Sequence, residues 1–253
     1  MSDDRHRPRP KIPSPTSVPS APPAPPLPPV VAPAVSRALI TRLTLTSFKL
    51  NLAHAEVQRN LKDCQSMHRT VMRMFRHVNA TRDTNEILYR VDPSGVDWWM
   101  HVQSTADADL TMLAPGYALP PVRQRDDLWQ KCEALQVGQQ YPFVLVANIV
   151  KRDFHAKRTR TVYDSAAQRD WLYRKGVQHG FMLVADAQAL VKLEIAADPQ
   201  VNGVHPNGAL SYDAFRISGT LQVTDPAALA DAIATGIGKA KAYGFGLLSL
   251  VGL

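Results

Sequence analysis

Twelve of the chain's twenty prolines fall before residue 37. Proline lacks the backbone N–H that helices and inner strands require, and this stretch has no aromatic residue to seed a core. Residues 1–36 are therefore predicted to form a solvated, disordered tail. Its alanine-valine run is broken by prolines and offers no continuous apolar segment for a secretory signal. Several PxxP matches could recruit a partner, although in so proline-dense a segment such matches also arise by chance. The packed fold has to be built from residue 37 onward, and 253 residues at 45% hydrophobic content leave enough for one or two cores.

The order of elements in that remainder is strand, helix, strand, strand, followed by a second round. Residues 38–48 alternate β-branched and apolar positions as a strand does. After Asp63, apolar Met67, Val71, Met74, Phe75 and Val78 recur at helical spacing, with Arg69, Arg73 and Arg76 on the other face. Strands are expected at 87–92 and 98–104 around the turn Pro93-Ser94-Gly95, with Trp98 and Trp99 as strand core. Residues 106–140 read as a connector. The second round begins with an apolar strand at 141–150, which is expected to pair with 159–163 across a basic turn. A helix is expected at 165–179 with Ser165 as a possible cap, and a strand at 213–223. A further helix starts at Asp225-Pro226, with aspartate as cap and proline in the first turn, and a last strand covers 246–251. Two such halves predict an α+β fold of tandem ferredoxin-like domains, 37–138 with the connector and 139–253 with a glycine-rich loop.

Charge narrows the class of partner. The formal net charge is +7, and it is concentrated: residues 151–175 carry eight basic residues against three acidic ones. That bias suits a polyanion, and the interleaving of Phe154 and His155 with Arg152, Lys157, Arg158 and Arg160 suits phosphates and bases together, the alternative being a solvated hairpin. No stretch is long and apolar enough to span a membrane. Cys64 and Cys132 stand far apart and outside any CxxC pair, which argues against a disulfide framework or zinc site and fits a reducing cytoplasm.

Two features could carry chemistry. His68 lies one position past the buried stripe of its helix, hence partly exposed, and an imidazole can take a proton from a hydroxyl or deliver one to a departing oxygen. The histidines lack metal-ligand spacing and no GxSxG is present, so neither metal-dependent nor serine-nucleophile hydrolysis has support. The second feature is the C-terminal segment 236–253, where five glycines surround Lys239, Lys241 and Tyr243. Glycines such as Gly238, Gly244 and Gly246 let backbone N–H groups approach a phosphate, and the lysines add charge, although plain turn chemistry would also use glycine.

Taken together, several motifs resemble one family. They are Met67-His68-Arg69-Thr70, Gln103-Ser104, Val146-Ala147-Asn148, the WLYRKG run from Trp171, His179-Gly180-Phe181, Val223-Thr224-Asp225-Pro226 and GIGKAKAYGFGLLSL from Gly236. In this order, from about Leu39 onward, they resemble CasE, the RNA-processing endoribonuclease of type I-E CRISPR systems in the RAMP group. The resemblance implies cleavage of CRISPR repeat stem-loops without a metal or other cofactor, and retention of the product with the other subunits of the Cascade complex. It places His68 on the family's catalytic histidine. Gln65 stands where family members commonly carry a tyrosine; it can donate hydrogen bonds but cannot titrate as a phenol does. Gln65, Arg73, Lys239 and Lys241 are the expected supporting residues. Arg152, Lys157, Arg158, Arg160 and the loop at Gly238, Lys239, Lys241, Gly244 and Gly246 are the expected RNA contacts. Two other readings remain: a non-cutting subunit that binds the RNA hairpin, and a Pro-rich adaptor.

Overall fold

The computed structural model describes residues 40–76, 86–153, 158–185, 193–205 and 208–253, with the side chains of Arg158, Pro199, Gln200 and His205 outside that description. The tail predicted for residues 1–36, as well as Val78, lies outside the described residues. The N-terminal half holds a four-stranded antiparallel sheet made of β1 (Thr44–Leu50), β2 (Leu88–Ser94), β3 (Asp97–Ser104) and β4 (Ala118–Arg125). Their spatial order is β2-β3-β1-β4. Two helices, α1 (Ala55–Lys62) and α2 (Cys64–Arg73), follow β1. Met67, Val71, Met74 and Phe75 of the predicted stripe are buried with Phe48, Val57, Met100 and Tyr117 in one cluster. Burial of each such side chain stabilises the fold by about 1.5–3 kcal/mol.

The C-terminal half repeats the plan. Its strands are β5 (Gln140–Ala147), β8 (Phe181–Leu183), β9 (Leu193–His205), β10 (Gly208–Val223) and β11 (Leu248–Leu250), ordered β11-β5-β10-β8, with β9 also on β10. Helices α4 (Ser165–Gln178) and α5 (Pro226–Thr235) fill the places between strands. With β9, which adds to β10, left out of the count, the spatial order in each half is fourth, first, third, second strand, the ferredoxin-like arrangement. The first half departs from it in one respect: between β3 and β4 stands only a 3-10 turn at Leu110–Met112 in place of a second helix.

Several expectations are corrected. Residues 106–140 are more than a connector, since they contain β4 and α3 (Leu128–Glu133). The prolines of β4 hid it, and they are tolerated because β4 is an edge strand. Leu128, Cys132 and Leu135 are buried in the C-terminal core, so a boundary after residue 138 separates α3 from the half it packs with. The strand expected at 141–150 breaks at Asn148 into β5 and β6 (Val150–Asp153), and it is β6 that pairs with β7 (Arg158–Thr161), as a separate two-stranded ribbon. α4 is capped by Asp164, whose carboxylate accepts from the Ala167 N–H, rather than by Ser165. Trp98 and Trp99 divide between faces: Trp98 packs against the first core, while the ring of Trp99 carries the Arg123 guanidinium 4.9 Å from its centroid.

The halves are joined by an ionic staple. Arg90 of β2, 5% exposed, grips the carboxylate of Asp92 at 2.8 and 2.9 Å. It also donates to Leu247 O and Ser249 Oγ at 3.0 Å and to Val144 O at 3.3 Å, all in the C-terminal half. Arg216 of β10 reaches back to Asp92 at 2.7 Å. Burial would raise the Asp92 pKa, but the two arginines outweigh it and hold the carboxyl below its ordinary range.

Candidate nucleic-acid cleavage site

The position of His68 follows from the cap of its helix. Asp63 ends α1 and starts α2, and its carboxylate accepts from the Gln65 N–H at 3.1 Å and the Ser66 hydroxyl at 2.6 Å. A third donor, the Val204 N–H at 3.3 Å, comes from β9 of the other half. Burial opposes ionisation of Asp63, yet the bonds from Ser66, Val204 and Gln65 lower its pKa. The hairpin of β9 and β10 is therefore fastened to the first turn of α2. The approach is close: a Cβ on Gly203 would come within 2.6 Å of Cys64 Sγ. One turn on, Met67 points into the core and His68 is half-buried.

Beside His68, α1 and α2 enclose an open concavity of about 830 Å³ lined by Arg59, Arg69, Arg73 and Arg76 among others. Arg59 was not legible in the sequence because α1 was not predicted. Arg73 is held by an ion pair with Glu56 and a 3.2 Å bond to Thr70 Oγ1, so it is a fixed charge on the wall of the concavity. A buried network of Asn60 with Thr70 and Tyr117, at 2.9 and 3.0 Å, locks the two helices together. Competing histidines have structural positions: His54 caps α1, His101 bonds Ser47 at 2.8 Å, and His179 ends α4. His77 and His155 lie outside the described residues.

The glycine-rich loop comes to this helix from the opposite end of the chain. Its shape depends on glycine at Gly246, with φ +88°, where a Cβ would sit 2.8 Å from the Ile237 carbonyl. The Gly246 N–H donates to Val146 O at 2.8 Å, and Ile237 N–H to Gly246 O at 2.9 Å, so this glycine closes the loop and its N–H is already used. Gly238 and Gly244 pack by Trp171 and Tyr89. Lys239 is exposed and bridges to Asn148, at the root of the basic ribbon. Lys241 turns inward instead, its ammonium donating to Thr235 O at 2.6 Å at the end of α5. Two expected RNA contacts, Gly246 and Lys241, thus have tasks within the fold.

Tyr243 is the residue that sequence reasoning left without a role. Its hydroxyl donates to Gln65 Oε1 at 3.0 Å, and its ring meets the His68 ring edge-on with centroids 6.0 Å apart. The loop and α2 therefore meet at Gln65, His68 and Tyr243, residues up to 178 positions apart. On the ribbon, Arg152 and Arg160 are exposed and Arg160 pairs with Asp153 at 3.0 Å. Lys157 and the side chain of Arg158 lie outside the described residues. Thr161 and Tyr163 fasten the ribbon to Asp213 at 2.6 and 2.7 Å. No helix among the described residues is long and apolar enough to cross a membrane.

Known proteins share this fold. The family described as CRISPR associated protein matches residues 43–251. A relative, the CRISPR-associated endoribonuclease Cse3 of Thermus thermophilus, is 29% identical over 216 residues, covering 81% of this chain and 98% of its own. The structure of Thermus thermophilus Cse3 bound to an RNA representing a pre-cleavage complex superposes with a TM-score of 0.70 at 27% identity, over 83% of this chain and 99% of that one. Cas6e of Escherichia coli K-12 shares the fold, with a TM-score of 0.58 at 19% identity over 83% of this chain and 100% of its own. With a match that runs from β1 through the glycine loop and includes both sheets, the chain belongs to the CRISPR-associated protein family, as a member of the CasE type its motifs resemble.

Proposed function

We propose that the protein is a metal-independent endoribonuclease that cuts CRISPR precursor RNA at the stem-loop of each repeat and keeps the product as a subunit of the Cascade complex in the cytoplasm. The observation that carries this reading is a half-exposed histidine on a doubly anchored helix turn, beside an arginine-lined concavity and under a basic loop. RNA supplies its own nucleophile. When the 2′-OH is held in line with the leaving 5′-oxygen, the 2′-oxygen attacks phosphorus and the P–O5′ bond breaks, giving a 2′,3′-cyclic phosphate and a 5′-hydroxyl. One proton leaves the 2′-OH and one reaches the 5′-oxygen, and His68 serves one of these transfers. Charge developing on the phosphorane is met by Arg73 or Lys239. The ribbon with Arg152, Lys157, Arg158 and Arg160 takes the stem through phosphates, because helical RNA hides its bases in a deep, narrow groove.

The test is His68→Ala. Cleavage of a synthetic repeat RNA should be abolished with affinity near that of wild type, since one imidazole contributes to the chemical step more than to phosphate neutralisation. EDTA should leave the wild-type rate unchanged. A His68→Ala protein that cuts within about tenfold of wild type removes His68 from the mechanism. A wild-type chain that binds the RNA tightly without cutting it supports the hairpin-binding subunit, the reading that Gln65 favours.

A further inference from the structure

Tyr243 is clamped on three sides. Its ring stacks on Tyr212 with centroids 5.3 Å apart and planes at 26°, and Tyr212 in turn meets Phe245 edge-on at 6.0 Å. The backbone around it is a 3-10 turn, Lys241–Tyr243, entered at Ala240 with φ +57° and left at Gly244 with φ +89°. From that fixed platform the ring edge faces His68 and the hydroxyl reaches Gln65. A phenol that donates to the Gln65 carbonyl oxygen decides which way the carboxamide lies. The acceptor end is taken, and Nε2 keeps its two N–H donors for another group. Burial and the nearby Cys64 raise the Tyr243 pKa, so the hydroxyl stays protonated and remains a donor.

We propose that Tyr243 is a positioning residue of the cleavage site: it sets the Gln65 carboxamide to donate to a non-bridging oxygen of the scissile phosphate and braces the imidazole of His68. This rests on the endoribonuclease reading above. A neutral donor suits the position, because it can grip the phosphate without changing its own charge as protons move through His68. The device also links the halves of the protein, so the phosphate is gripped only when the glycine loop is seated on α2.

The experiment compares Tyr243→Phe, Gln65→Ala and the double variant, using a synthetic repeat RNA for single-turnover rates. Affinity is measured separately with the same RNA carrying a 2′-deoxy residue at the cut. Tyr243→Phe keeps the ring and its packing and loses only the hydroxyl. Each single variant should cut roughly tenfold to a hundredfold more slowly with Kd within about threefold, because misplacing a group near the reacting atoms lowers the rate far more than the affinity. The double variant should be no slower than the worse single by more than about threefold, since both remove one device. Melting temperatures near wild type separate this effect from misfolding. A Tyr243→Phe protein that cuts at the wild-type rate overturns the proposal, as do losses that multiply in the double variant. A wild-type chain that does not cut overturns the endoribonuclease reading and this one with it, whereas full activity in Tyr243→Phe overturns this one alone.

Discussion

Replacing Arg90 by methionine tests how the two halves hold the site in register. The substitution keeps much of the apolar stem of a side chain that is 6% exposed and removes the guanidinium that pairs with Asp92. Three C-terminal acceptors, Leu247 O, Ser249 Oγ and Val144 O, lose their donor. The serine hydroxyl can turn to another partner and Val144 stands opposite Ser249 in the β5–β11 ladder, so the ion pair sets the scale of the loss. Breaking a buried ion pair by removing one member costs about 3–5 kcal/mol. Asp92 keeps Arg216 at 2.7 Å and is 20% exposed, which places the expected loss at the low end of that range. We expect about 3 kcal/mol in urea unfolding, or a melting point lower by roughly 10 °C for a folded part of this size.

The pH dependence follows from Asp92. Its carboxyl is held below the ordinary value of 3.8, so the stability it contributes is complete above that value and is lost as pH falls through the folded-state pKa. Without Arg90 the folded-state pKa rises toward the ordinary value, so that loss should be smaller and complete at a higher pH. At temperatures where the variant is folded, RNA cleavage should still be slowed, because Gln65 and His68 ride on one half and Tyr243 on the other. A loss below about 1 kcal/mol refutes the staple as the joint between halves. A variant that is destabilised as expected yet cuts at the full rate refutes the link from staple to site.

Replacing the 2′-OH at the cut by hydrogen should block cleavage and preserve binding; efficient cleavage of that substrate, or products without a cyclic phosphate, would rule out the internal nucleophile. Neutralising Arg152, Lys157, Arg158 and Arg160 together should weaken stem-loop binding and flatten the plot of log K against log salt by roughly 0.7–0.9 for each phosphate that is no longer neutralised. An unchanged slope would move the main phosphate site to Lys239 and the arginines of the α1–α2 concavity. Asp63→Ala should cost about 1–2 kcal/mol by uncapping α2. If its unfolding midpoint matches wild type, the bonds from Gln65, Ser66 and Val204 do not anchor that helix.

Local chemistry determined what was legible along the chain. Helix α2 could be read because Met67, Val71, Met74 and Phe75 all face one core, a periodicity written in adjacent turns. The start of α5 was equally plain, because an aspartate cap before proline needs no distant partner. The half-buried setting of His68 followed from its angle on that same helix. β4 and β9 were missed because proline and glycine blur the strand pattern, and only pairing with β1 and β10 makes them strands. The tasks of single residues in the glycine loop were decided by the fold alone. Five glycines with lysines read the same whether the loop faces solvent or closes on itself. Lys241 turns to the end of α5 while Lys239 stays exposed, a difference set by which carbonyl lies within reach. The meeting of Tyr243 with Gln65 and His68 depends on how two sheets are stapled through Arg90, and no local pattern encodes an encounter between residues so far apart in sequence.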